Sequence, residues 1–204
     1  MDYAIDRSAP VLVTGATGFV AGWIIKRLLE QGVTVHATVR DPGNTDRLRH
    51  LNALPRSGGA ELRFFKAELL SEGSFAQAMA GCGVVFHTAS PFTSNVADPQ
   101  KDLIDPALLG TRNVLDQARR TDSVTRVVLT SSCAAIFTDA ADCADAPGGV
   151  LTEAIWNRTA SLEYQPYFWS KTLAEAEAWK IAEHARFRLV AINPCLIMGP
   201  AIGG

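Results

Sequence analysis

Residues 11–22 read VLVTGATGFVAG. The first three are apolar and mostly β-branched, as in a buried strand, and the residues from Phe19 onward place apolar side chains at helical spacing. Between the two patterns, Gly15 permits a tight turn, and Gly18 lets the backbone approach a phosphate group at the N-terminus of the helix. The small Ala21 allows the helix to pack closely on the strand. The segment therefore predicts a strand, a pyrophosphate-binding turn and a helix.

Strands and helices alternate along the rest of the chain. Further strand patterns cover Val33–Val39, Leu62–Lys66, Val84–Thr88, Arg126–Thr130 and Leu189–Ile192. Helical patterns cover Phe19–Gln31, Ser74–Ala80, Asp102–Arg120 and Tyr167–His184, and Thr138–Gly149 is expected to be a solvated loop. Such alternation predicts an α/β fold with a doubly wound parallel sheet in the order 3-2-1-4-5-6. We expect one dinucleotide-binding (Rossmann) domain over residues 1–204.

The composition argues against several other classes of protein. The chain of 204 residues has a net charge of −2 and no cluster of Lys and Arg, which disfavours nucleic acid and anionic membranes as partners. Because it shows neither a membrane-spanning apolar run nor a signal-peptide core, we expect a cytoplasmic protein. The four cysteines are scattered without metal-ligand spacing, so no metal is expected, and the oligomeric state stays open.

The end of the second strand bears on the choice of cofactor. An acidic residue there would accept hydrogen bonds from the ribose hydroxyls of NAD, but Arg40 comes first, followed by Asp41. A guanidinium can bind the 2′-phosphate of NADP(H) bidentately. The sequence therefore favours NADP(H) over NAD(H), although Arg40 could be a solvated surface residue and Asp41 could contact a ribose.

Two further segments contain groups suited to acid–base chemistry. Tyr167 and Lys171 lie one helical turn apart, and a neighbouring ammonium group would lower the pKa of the tyrosine from its usual value of about 10. Ser131 and Ser132 end the fifth strand, where a hydroxyl can donate to a substrate carbonyl oxygen beside the tyrosine. Tyrosine with a surface lysine, or two serines ending a strand, could also be purely structural.

The turn motif, YFWSK at residues 167–171 and NPCLIMGP at residues 193–200 together resemble the extended short-chain dehydrogenases/reductases of the NAD-dependent epimerase/dehydratase superfamily. VRDP at residues 39–42, HTASPF at residues 87–92 and YFWSKTLAEAEAW at residues 167–179 resemble the dihydroflavonol reductase, cinnamoyl-CoA reductase and aldehyde reductase group. The resemblance covers almost the whole chain. Members of that group reduce aldehydes, ketones or thioesters with NADPH.

The resemblance implies roles for individual residues. It selects Ser132 over Ser131 as the catalytic serine, makes Tyr167 the proton donor and gives Lys171 a contact with the nicotinamide ribose. His87 is expected to be structural, and Glu68 stands where the family more often has Asp. The implied cofactor contacts are Gly15, Thr17, Gly18, Phe19, Val20, Arg40, Glu68, Leu69, Thr88, Ala89, Ser90, Thr130, Tyr167, Lys171, Pro194 and Ile197.

The sequence thus predicts an NADPH-dependent oxidoreductase that reduces a small-molecule aldehyde or ketone. The alternatives are a nucleotide-sugar epimerase or dehydratase, a 3β-hydroxysteroid dehydrogenase-like enzyme and a non-catalytic NADP(H)-binding sensor. Extended-branch proteins continue past the position of Gly204 into a C-terminal substrate-binding part. We therefore expect that part to be missing here, and the substrate is not predicted.

Overall fold

The computed structural model describes residues 5–90 and 96–202. Six parallel strands form one sheet in the order β3-β2-β1-β4-β5-β6, which confirms the predicted doubly wound topology. The strands are β1 Val11–Val13, β2 Val35–Val39, β3 Leu62–Lys66, β4 Val84–His87, β5 Arg126–Thr130 and β6 Arg188–Ile192. The helices are α1 Phe19–Glu30, α2 Thr45–Asn52, α3 Ala76–Met79, α4 Asp105–Arg120 and α5 Pro166–Ala182.

The sheet has a hydrophobic core on each face. In β1, Val11 and Val13 belong to the core that α1 and α2 cover, whereas Leu12 belongs to the core on the opposite face. This split follows from the alternation of side chains along a strand. Strands β1 and β4 contribute side chains to the cores on both faces of the sheet. The strand order reverses between these two strands. A parallel sheet binds ligands in the crevice beyond this reversal.

The first helix ends as its sequence predicts. Gly32 has a φ of 77°, and its N–H donates to the carbonyl of Leu29 at 3.1 Å. The next N–H, from Val33, donates to the carbonyl of Leu28 at 3.0 Å. These two bonds satisfy carbonyl groups that the end of a helix leaves free, and the left-handed conformation favours glycine.

Helix α2 was not predicted. Its N-terminus is capped by Asn44, whose Oδ1 accepts a hydrogen bond from the N–H of Arg47 at 3.0 Å. Leu48 and Leu51 supply its buried contacts. A helix of eight residues with so few apolar positions shows little periodicity, so tertiary packing decides its formation.

Two other segments differ in detail from the predicted pattern. A π-helical turn at Gln100–Ile104 precedes α4, where the sequence suggested a continuous helix. The stretch expected to be a loop contains two short 3-10 helices, Ala140–Asp145 and Pro147–Gly149. Within residues 5–90 and 96–202, no helix has both the length and the apolar character needed to cross a bilayer.

Candidate active site

The turn between β1 and α1 has the geometry that a phosphate-binding turn requires. Gly15 has a φ of 68°, and a Cβ at this position would lie 3.0 Å from the Cα of Ala89, in the segment after β4. Gly18 closes the turn by donating its N–H to the carbonyl of Gly15 at 2.9 Å, and α1 begins at the next residue. The first N–H groups of a helix have no partner within it, so this end of α1 is suited to bind an anion.

Thr14 joins the turn to the segment after β4. Its Oγ1 accepts hydrogen bonds from the N–H groups of Thr88 (3.1 Å) and Ala89 (3.0 Å) and lies 3.0 Å from Nδ1 of His87. Since the hydroxyl oxygen already accepts twice, its proton is directed to Nδ1, which makes the histidine a neutral acceptor. Burial, aided by the nearby charge of Lys171, lowers the pKa of His87 to about 3. This ring is therefore neutral at physiological pH and supports the crevice structurally.

A groove of about 810 Å³ lies beyond the carboxyl ends of the central strands. Nine of the residues predicted to contact the cofactor line it, contributed by the turn after β1, the end of β2 and the segments after β3 and β4. They are Gly15, Thr17, Gly18, Arg40, Glu68, Leu69, Thr88, Ala89 and Ser90.

Two arginine residues line this groove. Arg40 follows β2, and Arg47 lines the same groove from α2. The carboxylate of Asp41 accepts the N–H of Gly43 at 2.9 Å, which engages it in its own turn. Two arginines therefore line the groove, together with the acidic residues Glu68 and Asp102. Arg47 was not predicted to contact the cofactor, because the helix that carries it, α2, was not predicted.

Helix α4 holds the segment after β3 at the groove. A Cβ on Gly110 would lie 2.7 Å from the Cγ of Leu69, so the absence of a side chain there lets Leu69 pack against the helix. Asn113 donates its Nδ2 to the backbone carbonyl of Leu69 at 2.9 Å. Gly110 and Asn113 thus support a groove residue without lining the groove themselves.

The predicted catalytic groups meet at the end of β5. Ser132 is largely buried, and its Oγ accepts the N–H of Ala134 at 3.2 Å, which caps the 3-10 helix Cys133–Ala135. The Ser132 hydroxyl also lies near enough to the hydroxyl of Tyr167 to lower the pKa of that phenol by hydrogen bonding. Two hydroxyl groups on different elements are therefore placed side by side, as the assignment of roles from the family pattern requires.

Lys171 lies one turn further along α5, with its Nζ 5.5 Å from the centre of the Tyr167 ring. This Nζ donates a hydrogen bond to Oγ of Ser90 at 2.7 Å. Burial lowers the pKa of Lys171 to about 8. The ammonium group is thus desolvated and held at the edge of the groove that Ser90 lines.

The expectation that Lys171 lowers the pKa of Tyr167 below its usual value is wrong for this arrangement. Burial raises the pKa of Tyr167, and the hydrogen bond from Ser132, which acts in the opposite direction, is a smaller influence. The ammonium group of Lys171 is directed to Ser90 and does not offset the effect of burial on the pKa of Tyr167. Tyr167 is therefore a protonated phenol at neutral pH.

The remaining predicted contacts lie elsewhere. Phe19, Val20 and Ile197 line an apolar depression on the α1 side of the sheet. Thr130 lines a small buried cavity shared with Lys171, and the carbonyl of Pro194 accepts the N–H of Cys133 at 3.0 Å. The HTASPF motif is described as far as Ser90, and its part from Pro91 lies outside the described residues. No cluster of three or more metal-ligating side chains occurs in the described ranges.

A model of the NAD dependent epimerase/dehydratase family matches residues 11–203. The chain belongs to this family. It is 45% identical over 196 residues to cinnamoyl-CoA reductase CAD2 of Medicago truncatula, which covers 94% of this chain and 59% of that protein. A putative anthocyanidin reductase of Ginkgo biloba is 44% identical over 201 residues, covering 96% of this chain and 58% of that protein. The predicted resemblance to the plant reductase group is confirmed.

Solved structures of the family agree with the sheet described above. Gre2 from Candida albicans, solved in complex with NADPH, matches with a TM-score of 0.80 and 32% identity. The match covers 95% of this chain and 59% of that one. The chain thus spans somewhat under two thirds of the length of these relatives.

Proposed function

We propose that this family member is an NADPH-dependent reductase that converts an aldehyde or ketone to an alcohol. The observation that carries the proposal is the hydrogen-bonded pair of hydroxyl groups on Ser132 and Tyr167, with Lys171 one turn away at the edge of the groove. The reductase relatives, and the binding of NADPH by Gre2, support the same class of reaction.

The residues lining the groove fit a dinucleotide. Because Gly15 has no side chain, the turn packs closely against Ala89, and both residues line the groove beside the N-terminus of α1, where a pyrophosphate would bind. Arg40 and Arg47 provide cationic donors for a 2′-phosphate, and the carboxylate of Asp41 is already engaged with Gly43. This combination favours NADPH over NADH and disfavours an epimerase that retains NAD.

NADPH, when bound, supplies a hydride for the carbonyl carbon. Tyr167 donates the proton to the carbonyl oxygen, and its raised pKa keeps the phenol in the protonated form that donation needs. Ser132 donates a hydrogen bond to the same oxygen and stabilises the negative charge that develops on it. Lys171, whose ammonium group donates to Ser90 at the edge of the groove, would hold the nicotinamide ribose.

The test is turnover by the full-length protein on a panel of carbonyl compounds. The panel contains an aromatic aldehyde, a 2-oxoaldehyde, a cyclic ketone and an acyl thioester, with loss of NADPH absorbance as the signal. We expect NADPH to be consumed with at least one class, with the alcohol recovered from an aldehyde or ketone and the aldehyde and free thiol from the thioester. Tight NADPH binding without turnover of any of them would favour the sensor alternative, and conversion of a nucleotide sugar without net NADPH consumption would favour the epimerase alternative.

A further inference from the structure

Glu175 is a buried carboxylate that the proposed reaction does not use directly. It lies on α5 one turn beyond Lys171 and is 7% exposed. The Ser131 hydroxyl and the Nδ2 of Asn193, at 2.7 Å, donate to its Oε2. The indole N–H of Trp179 donates to its Oε1 at 3.2 Å. Hydrogen bonds of this kind are what make the burial of a carboxylate tolerable.

These partners connect Glu175 to the catalytic serine. Asn193 follows β6, and the same Nδ2 that donates to Glu175 also donates to the backbone carbonyl of Ser132 at 3.1 Å. Ser131 makes two hydrogen bonds here. Its hydroxyl donates to Glu175, and its backbone N–H donates to the carbonyl of Ile192 at 2.9 Å. The carboxylate of Glu175 therefore holds two groups in place. They are the side chain of Ser131, which precedes Ser132, and the side-chain amide of Asn193, which binds the Ser132 carbonyl.

We propose that Glu175 is a positioning residue, which keeps the hydroxyl of Ser132 aligned with that of Tyr167 through Ser131 and Asn193. The inference rests on the proposed function, in which those two hydroxyl groups act on the carbonyl oxygen of a substrate. Without the carboxylate, Asn193 loses one of its two acceptors and Ser131 loses its side-chain partner. The end of β5 is then free to shift, and a displacement of about 1 Å can cost on the order of 100-fold in rate.

A double-mutant cycle distinguishes positioning from general structural support. In the full-length enzyme we expect Ser132→Ala to lower kcat by about 10²–10³-fold. Glu175→Ala alone should lower kcat by about 10- to 100-fold and leave the KM for NADPH nearly unchanged, because the groove is untouched. In the Ser132→Ala background, Glu175→Ala should change kcat by less than about threefold, because the group it positions is gone.

A second pair of variants changes which groups donate and accept around residue 175 without removing the side chain. It also provides a test if Glu175→Ala does not fold. Glutamine can still accept from Ser131 and Asn193, but its amide N–H₂ then faces the indole N–H of Trp179, so two donors meet. Glu175→Gln should therefore lower kcat by about three- to tenfold. Adding Trp179→Phe removes the opposing donor and should restore most of that loss. Glu177→Gln is the matched control, since Glu177 lies on the same helix and pairs with Arg112 at 2.7 Å.

The outcomes separate the two proposals. No turnover by the unsubstituted enzyme overturns the proposed function, and the positioning role with it. Turnover that Ser132→Ala impairs and Glu175→Ala leaves unchanged overturns the positioning role alone. An equal loss from Glu175→Ala with and without Ser132 also overturns it, because independent effects show that Glu175 does not act through Ser132. A melting temperature lowered without any change in kcat would assign Glu175 to stability only.

Discussion

The ammonium group of Lys171 donates a hydrogen bond to the hydroxyl of Ser90 at 2.7 Å, which joins α5 to the segment after β4. The two residues are 81 positions apart in the chain. The contact places the ammonium group of the candidate catalytic helix at the groove that Ser90 lines. Its charge is therefore available to a cofactor first.

This placement predicts that NADPH binding depends on pH through Lys171. Burial lowers the pKa of Lys171 to about 8, so the group is charged below that pH and neutral above it. Between about pH 7 and about pH 9 the Kd for NADPH should rise several-fold as the ammonium group loses its proton. Fluorescence titration of the full-length protein measures this. Lys171→Met should bind weakly with a flat profile, Lys180→Met should keep the wild-type slope, and equal slopes in all three would refute the assignment.

Replacing Tyr167 by phenylalanine should abolish most of the catalysis while preserving the groove. The substitution keeps the ring and its packing but removes the proton donor, and positioned proton transfer is worth roughly 10²–10⁴-fold in rate. The Kd for NADPH should change little. Tyr164→Phe is the control, because that hydroxyl donates to Asp139 at 2.7 Å away from the Ser132 pair. Near-normal turnover of Tyr167→Phe would make the tyrosine structural.

Arg40 and Arg47, which line the groove, should decide between the two nicotinamide cofactors. A charge-assisted hydrogen bond to the 2′-phosphate is worth about 1.5–3 kcal/mol, so Arg40→Ala should weaken NADPH binding by about ten- to a hundredfold. Arg47→Ala should act in the same direction, and NADH binding should change little in either variant. Arg49→Ala, at the other end of α2, provides the control. Equal losses of affinity for NADPH and NADH would show that the arginines do not bind the 2′-phosphate.

The features predicted correctly from the sequence are those fixed locally. The alternation of apolar runs with helical periods gave the strand order, and the glycine spacing of residues 15–18 gave a turn whose left-handed residue is Gly15. The pairing of Tyr167 with Lys171 follows from helical spacing alone. The turn and the Tyr167–Lys171 spacing depend on residues close together in the chain, where propensity and periodicity are informative, whereas the strand order follows from the general topology of alternating strands and helices.

The features that the sequence did not reveal depend on distant contacts. Helix α2 has a polar sequence and is held by Leu48 and Leu51 in the core. The direction of the pKa shift of Tyr167 depends on how deeply its ring is buried and on where Lys171 points, which Ser90 decides. Glu175 also gave no signal as a site residue, because its partners come from β5, from α5 and from the segment after β6.

The last prediction concerns the crowding at Gly15. Gly15→Ala forces a side chain into a left-handed conformation and also places its Cβ 3.0 Å from the Cα of Ala89. Gly73 has a φ of 74° with nothing within 4 Å of its Cβ position, so Gly73→Ala incurs the backbone strain without the contact. Chemical denaturation should show Gly15→Ala to be less stable than Gly73→Ala by about 1–3 kcal/mol, the usual cost of overpacking. Because Gly15 and Ala89 both line the groove and Gly73 does not, Gly15→Ala should also weaken NADPH binding, and Gly73→Ala should not. Equal stability of the two variants would show that the turn tolerates a side chain, and the close approach of a pyrophosphate to Gly15 would then lose its structural basis.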